Sequence, residues 1–343
     1  IAVPVWQTVA TATVTDAAAA HDATGGLVIY ARDIDRTFRM TTWDSPRTPD
    51  ADIPDADTPA AYPTENATEE PLILVARQTL TRLGYTQPPA WHVTLHSQIP
   101  MASGLGSGAA LCAALAQALW QMARHTDATI PATVPPPVPA QISQIVFAAE
   151  QIYHGTPSGI DNTVVSYGAP VWFRKGEPPQ IFTPARPIML AIADSGTPGS
   201  TRATVAHVRQ LWQANPTRLA RIFTEIAVLV EQARHALETG APARLGPLFN
   251  ANHTLLQQLE VSTPALDRLV AAARAAGAPG AKLSGGGGGG NMIALVTETS
   301  ADAVVAALTA AGARRVILTR VGKNVEENGA GAPDRADMPP RPQ

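Results

Sequence analysis

The sequence predicts an α+β protein with two domains, and three observations lead to this fold class. Strand-like runs rich in Val, Thr and aromatic residues alternate with helical patterns in the first half. A buried-type strand, IMLAIAD, opens the second half. After it, a strand–helix–strand–strand–helix–strand order with extra helices is typical of a ferredoxin-like unit. We place the domains at residues 1–185 and 186–322, and predict a disordered tail over 323–343, which is polar and rich in Pro and Gly.

The elements of the first domain are predicted from periodicity, caps and breakers. In chain order they are a strand within 2–14, two strands within 26–42, a helix over 68–83, a strand over 91–97, helices over 109–124 and 141–155, and a strand pair over 163–168 and 170–176. Two Pro-rich stretches interrupt them, an acidic excursion at 43–70 and a link at 129–140.

The second domain has clearer signals, because its helices are long and its strands are short and apolar. Its predicted elements are a strand over 188–194, helices over 200–212, 216–238, 242–258 and 263–276, strands over 281–284 and 292–297, a helix over 300–312 and a strand over 315–321.

Composition narrows the function classes. The chain has 343 residues, 45% of them hydrophobic, which supports a substantial core. Its net charge is −3 and no basic cluster is visible, so nothing favours a nucleic-acid or anionic-membrane partner. The single cysteine, Cys112, excludes an intramolecular disulfide and a multi-cysteine metal site. No signal-peptide or membrane-span pattern is visible, and we expect a cytoplasmic protein.

A glycine-rich loop, PMASGLGSGAA, lies between a predicted strand and a predicted helix. Gly104, Gly106 and Gly108 let an anion approach the backbone closely, and the unpaired N–H groups of the helix start favour negative charge. A phosphate site and a plain tight turn both fit this pattern. A Rossmann site is disfavoured, since no strand ending in an acidic residue follows, and the lysine of a Walker A loop is absent.

Two carboxylates follow downstream. Glu150 lies late on an apolar helix, where a buried carboxylate needs a partner such as a cation. Asp161 follows a Pro-Ser-Gly turn, and we expect it where this turn enters a strand. Oxygen ligands of this kind suit Mg²⁺ together with substrate phosphates. The alternative is an exposed glutamate and an Asx-type turn, which the residues alone favour when the glycine loops are set aside.

Six consecutive glycines, Gly285–Gly290, form the third feature. Composition alone suggests a flexible linker. The flanking runs, AKLS and NMIALV, are apolar and strand-like, which favours an ordered loop between two strands instead.

Together these stretches resemble the GHMP kinases. PMASGLGSGAA is similar to their second motif, usually P-x-x-x-G-L-G-S-S-A-A, and KLSGGGGGGNMIAL is similar to their third, K-L-[ST]-G-A-G-x-G-G. EQIYHGTPSGIDNTVVSYG and IADSGTPGSTRATVAHV resemble the H-G-x-P-S-G-[IV]-D-N and D-[TS]-G-x-x-x-S-T segments of mevalonate kinases within that family. The four occur in the family order along residues 1–321.

The resemblance implies a ribosomal-protein-S5-like N-terminal domain, a ferredoxin-like C-terminal domain, and ATP-dependent phosphorylation of the 5-hydroxyl of mevalonate with Mg²⁺. It leaves room for a homodimer. Asp161 matches the family's catalytic aspartate, and Glu150 its Mg²⁺-binding glutamate. The nucleotide phosphates would be wrapped by Met101, Ala102, Ser103, Gly104, Leu105, Gly106, Ser107, Gly108, Ala109 and Ala110. The other active-site loops would contribute Ser158, Gly159, Ser200, Thr201, Ser284, Gly285, Gly286, Gly287 and Gly288.

Three departures from the family pattern stand out. Gly108 replaces the second serine of the second motif, so Ser107 or water would take its place at the metal. Gly286 replaces the usual alanine of the third motif, which adds backbone freedom. The first motif, P-G-K-x-x-L-x-G-E-H, is absent, and we expect the segment that carries it, with its lysine and Glu-His pair, to precede Ile1.

Two other readings stay open. One is a different small-molecule GHMP kinase, such as a phosphomevalonate kinase, although a phosphorylated acceptor calls for a Lys/Arg cluster that no motif contains. The other is a catalytically silent binding member of the family, which the presence of Glu150 and Asp161 disfavours.

Overall fold

The computed structural model describes residues 1–16, 25–43, 70–99, 104–126, 137–154 and 157–322. Met101, Ala102 and Ser103 and the predicted tail lie outside the described residues. The described part mixes helices and sheets, which confirms the predicted α+β class.

The first sheet has four strands, β1 (Ala10–Asp16), β2 (Leu27–Ala31), β3 (Arg36–Met40) and β4 (Trp91–Ser97). They lie in the order β1-β4-β2-β3. Strands β2 and β4 are parallel, and the chain crosses between them through α1 (Pro71–Arg82), whereas the other pairs are antiparallel. In β4 the alternation holds, since Trp91, Val93 and Leu95 are buried.

Three further helices complete this half: α2 (Ser107–Thr126), α3 (Pro139–His154) and α4 (Ile160–Tyr167). Helix α2 packs on β1 and β4 and also contacts α1, α3 and α4. The alanines and leucines that face these neighbours are buried, among them Ala113, Leu115 and Leu119. The glycine loop therefore leads into a helix that is held in place by contacts along its length.

The predicted strand over 163–168 is wrong, because residues 163–167 lie in α4 and Gly168 is its C-cap. The β-branched Thr163, Val164 and Val165 favour a strand locally, but tertiary contacts override a weak propensity. Thr163 Oγ1 donates to Gly159 O (2.6 Å), and the buried Asn162 donates to Ser143 of α3. The partner of β5 (Val171–Trp172) is instead β6 (Gln180–Ile181).

The second sheet contains β7 (Ile188–Asp194), β8 (Gly280–Leu283), β9 (Asn291–Val296) and β10 (Arg315–Val321). All its pairs are antiparallel, and the order β10-β7-β9-β8 is that of a ferredoxin-like unit. The helices are α5 (Thr201–Ala214), α6 (Pro216–Glu238), α7 (Leu245–Gln258), α8 (Pro264–Ala275) and α9 (Ala301–Ala310). Every predicted element of this half is present.

Separate apolar clusters lie in the two halves, one around β2 and α2 and one around β9 and α8. A third packs Trp172 and Phe182 against Ile188 and Leu190, so apolar contact continues across the domain boundary that we predict after residue 185. Among the described helices, none combines the length and the apolar character needed to cross a membrane.

Candidate active site

The loop before α2 is shaped for close approach to its backbone. Gly104 and Gly106 have positive φ values of 74° and 69°, which glycine adopts without steric cost. Helix α2 begins at Ser107, and Ala110 N–H donates to Gly106 O (2.9 Å). The preceding N–H groups of this first turn have no acceptor within the helix, so they are available to an anion.

Asp161 lies directly against this loop. A Cβ placed on Gly106 would be 3.7 Å from Asp161 Cβ and 3.9 Å from Asp161 Cγ. The structure corrects the predicted setting of Asp161, which is the first turn of α4 rather than the start of a strand. Gly159, with φ 90°, makes the turn into α4, and Ser158 Oγ accepts the Ile160 N–H (3.3 Å). Asp161 is the acidic residue in the first turn of α4.

Glu150 is buried behind Asp161, with 4% of its surface exposed. Burial, followed by the negative charge of Asp161, raises the pKa of Glu150 to about 7. Burial raises the pKa of Cys112 on α2 to about 12, with a further contribution from Glu150. Asp161 is thus the charged group that disfavours ionisation of Glu150, and a cation there would relieve this repulsion.

Asp161 lies beside the first glycine loop and interacts electrostatically with Glu150, and Mg²⁺ takes one or two such carboxylates plus substrate phosphates. No group of three or more His, Cys, Asp or Glu side chains that could hold a metal is found in the described part of the chain. The donor set of Glu150 and Asp161 suits Mg²⁺ when substrate phosphates supply further oxygen ligands. Ser107 is the first residue of α2 and stays a candidate hydroxyl ligand.

The six glycines form the loop between β8 and β9, as the flanking strands predict. Five of them, all except Gly286, have positive φ. The loop is held by backbone hydrogen bonds, from Gly288 N–H to Val261 O (2.8 Å) and from Gly290 N–H to Thr197 O (2.8 Å). A flexible linker would lack these hydrogen bonds, so the six glycines form an ordered loop.

The two glycine loops lie side by side. A Cβ on Gly285 would be 3.9 Å from Gly104 O. A Cβ on Gly286 would be 3.3 Å from Thr201 Oγ1, at the start of α5. Ser200 caps that helix, its Oγ accepting the Ala203 N–H (3.2 Å). The structure therefore brings the N-termini of α2, α4 and α5 to one place, an arrangement that favours a polyanion such as a triphosphate.

The sequence assigned no role to three residues that this site uses. Thr204 Oγ1 donates to Gly287 O (3.5 Å), and Val261 O receives the Gly288 amide. Lys282 lies next to the loop, where burial lowers its pKa to about 8 and its Nζ donates to Leu283 O (2.6 Å). Lys282 belongs to the K-L-[ST]-G motif, so the resemblance could have indicated it. Thr204 and Val261 carry no such signal.

Comparison with known proteins decides the family. A model described as GHMP kinases N terminal domain matches residues 71–169, and one described as GHMP kinases C terminal matches residues 233–314. A mevalonate kinase of Thermococcus gammatolerans is 34% identical over 242 residues, 68% of this chain and 69% of that protein. The chain belongs to the GHMP kinases. A second relative of this GHMP kinase, a mevalonate kinase of Aeropyrum pernix, is 35% identical over 258 residues, 71% of this chain and 76% of that protein.

A solved structure agrees with the relatives. The crystal structure of L. major mevalonate kinase in complex with R-mevalonate matches this GHMP kinase with a TM-score of 0.68 and 25% identity, over 92% of this chain and 86% of the other. The matched N-terminal range contains Asp161 and the described residues of the first glycine loop, and the C-terminal range contains the six glycines. This membership makes the protein an ATP-dependent kinase with the two-domain GHMP fold.

Two alanine substitutions in the six-glycine loop are expected to differ sharply. In Gly287→Ala the new Cβ would meet Val261 O at 2.2 Å at a φ of 79°. We expect a loss of at least about 2 kcal/mol in the free energy of unfolding, or a displaced loop that binds nucleotide weakly. In Gly286→Ala the φ is ordinary and only the Thr201 hydroxyl must shift by a few tenths of an ångström. We expect this variant to stay within about 1 kcal/mol of the wild type.

Urea unfolding and nucleotide titration measure both effects. Equal losses in the two variants would contradict the assigned backbone geometry of the loop.

Proposed function

We propose that this GHMP kinase transfers the γ-phosphoryl group of ATP to the 5-hydroxyl of mevalonate and releases 5-phosphomevalonate. The proximity of Asp161 to Gly106 carries the proposal, because a carboxylate beside a glycine-rich loop at a helix N-terminus supports phosphoryl transfer to a hydroxyl. The choice of acceptor is supported by the two archaeal relatives, which are mevalonate kinases, and by the L. major enzyme, which binds R-mevalonate.

In the proposed reaction the protein aligns reactants and neutralises charge, as phosphoryl transfer requires. The glycine loop of Gly104 and Gly106 and the start of α2 hold the phosphates. Asp161 accepts or orients the proton of the acceptor hydroxyl, whose oxygen forms the new bond to phosphorus as the bond to ADP breaks. Glu150, with Ser107 as a candidate ligand, would hold Mg²⁺, which would supply positive charge to the phosphate oxygens when bound.

Two alternatives remain testable. Another small-molecule GHMP kinase, such as a phosphomevalonate kinase, would share the phosphate site and differ at the acceptor. A silent binding member would bind nucleotide without turnover. A cytoplasmic location and a homodimer stay predictions.

The test is ATP consumption by the protein expressed from its complete reading frame, with mevalonate, phosphomevalonate, homoserine and galactose as acceptors. We expect Mg²⁺-dependent turnover on mevalonate with a kcat/KM at least about 100-fold above the other three, the discrimination that a site with specific polar contacts achieves. Turnover on only one of the other acceptors would contradict the mevalonate assignment and identify the protein as a kinase of that acceptor. Nucleotide binding without turnover would favour the silent member.

A further inference from the structure

Strand β8, which leads into the six-glycine loop, is an edge strand of its sheet. An edge strand presents one row of backbone groups with no strand partner. In β8 these are the groups of Ala281 and Leu283, since Gly280 and Lys282 alternate with them in the pairing with β9. Side chains from helices α7 and α8 make the hydrogen bonds to these backbone groups that a neighbouring strand would make.

Ala281 is held from two helices. Its N–H donates to Asn250 Oδ1 of α7 (3.1 Å), and its carbonyl accepts from Arg274 Nη2 of α8 (2.7 Å). Leu283, one pleat closer to the glycines, donates its N–H to His253 Nδ1 (3.3 Å). Asn250 and His253 are three residues apart on α7 and share one face of it. The two side chains therefore make the same kind of contact at different distances from the loop.

His253 is almost completely buried, with 2% of its surface exposed. Because Nδ1 faces a donor, it accepts, and the proton of the neutral ring is assigned to Nε2. Nε2 lies 3.1 Å from Asp267 Oδ1, in poor alignment for a hydrogen bond. Burial lowers the pKa of His253, with Asp267 opposing this effect, and the neutral ring is the form that accepts the Leu283 amide.

Asp267 connects the same histidine to the middle of the glycine loop. Its Oδ1 accepts from Ser262 Oγ (2.6 Å) and from Gln257 Nε2 (3.0 Å). Ser262 follows Val261, whose carbonyl accepts the Gly288 N–H. These contacts, buried at His253 and partly exposed at Asp267, thus reach the loop twice, at Leu283 before its first glycine and at Gly288 near its centre.

We propose that His253 and Asp267 are positioning residues for phosphoryl transfer, which brace the six-glycine loop in the shape that receives the nucleotide phosphates. His253 contacts no reacting atom in this scheme and acts through the backbone of Leu283. The catalytic part of this inference rests on the proposed function, whereas the bracing of the loop can be measured without turnover.

The experiment compares His253→Leu, which removes the acceptor at similar volume, with His253→Asn, whose Oδ1 can take the place of Nδ1. Asn250→Ala is the matched control, because it removes the equivalent bond of Ala281. The readouts are amide hydrogen exchange of residues 284–290 in the free protein, and KM for ATP against kcat.

We expect His253→Leu to speed exchange of the loop about 10-fold and to raise KM for ATP by a similar factor, the size of effect expected for one lost buried hydrogen bond. His253→Asn should recover most of both effects. Asn250→Ala should lower the melting temperature without altering exchange of the loop or KM. Equal effects of His253→Leu and Asn250→Ala on the loop would reduce His253 to a structural residue and overturn the proposal.

A second variant keeps the test decisive if His253→Leu does not fold. Ser262→Ala breaks the other arm of the network, and we expect faster exchange at Gly288 with little change in melting temperature. Unchanged exchange there would overturn the bracing role of Asp267. If the wild type turns over none of the four acceptors, the proposed function fails, and hydrogen exchange still decides whether the network braces the loop.

Discussion

Asp161→Asn is expected to lower kcat on mevalonate by about 10²–10⁴-fold, the usual contribution of a positioned base. The amide keeps the shape of the side chain against Gly106 but can no longer take the hydroxyl proton. Affinity for ATP should stay within about 3-fold of the wild type, because the glycine loops and the start of α2 hold the phosphates. Steady-state kinetics and a nucleotide titration measure the two quantities separately.

The matched control for this prediction is Asp302→Asn. Asp302 also lies in the first turn of a helix, α9, so both variants lose a favourable interaction with a helix N-terminus. Asp302 is exposed and belongs to neither glycine loop. We expect its replacement to leave kcat unchanged. A kcat retained in Asp161→Asn would remove Asp161 from the role of base.

Glu150→Gln is expected to stabilise the metal-free protein at high pH. In the folded protein the pKa of Glu150 is about 7, against an ordinary value of 4.5. The penalty for its charge is absent below about pH 4.5, grows as the pH rises to 7 and is complete above pH 7. The difference between these two pKa values corresponds to a loss of at most about 3 kcal/mol in the free energy of unfolding at pH 8. Glutamine, which carries no charge, should remove this pH dependence and that loss of stability.

The same variant should lose the response to metal. Mg²⁺ with nucleotide relieves the repulsion at Glu150 in the wild type, so the ligands should raise its stability by mass action more than they raise that of Glu150→Gln. Urea unfolding between pH 4.5 and 8, with and without Mg²⁺ and nucleotide, measures both effects. Glu225→Gln is the control, since this exposed i,i+4 partner of Arg221 should contribute less than about 1 kcal/mol. An unchanged pH slope in Glu150→Gln would place the titration elsewhere.

Part of the fold was predictable from local sequence alone. In the ferredoxin-like half each helix and strand has its own periodicity and its own breaker, so all of them were found. The α4 segment failed the same reasoning, because Thr163 and Val164 carry a strand propensity that packing against α3 overrides. A segment of only eight residues shows too few repeats for its hydrophobic periodicity to be read, so contacts with neighbouring elements decide its structure.

The candidate site divides in a similar way. The motifs identified the glycine loops, Glu150 and Asp161 as chemistry-bearing residues, because these residue types and spacings are visible in a one-dimensional pattern. They could not show that Asp161 lies beside Gly106, or that the charge of Asp161 raises the pKa of Glu150. Such effects depend on distance and burial, which the order of residues does not contain.

The sequence by itself determined the family, and it singled out the two glycine loops and two acidic residues of this GHMP kinase as site candidates. Only the tertiary structure decided that three helix N-termini meet at one site, and that the six glycines form an ordered loop held by hydrogen bonds to the backbone of Val261 and Thr197. The physical reason is that the conformation of an ordered loop depends on the residues that it contacts and hydrogen-bonds. Gly287 and Gly288 are held by Val261 and Thr204, residues that lie far from them along the chain and carry no motif of their own.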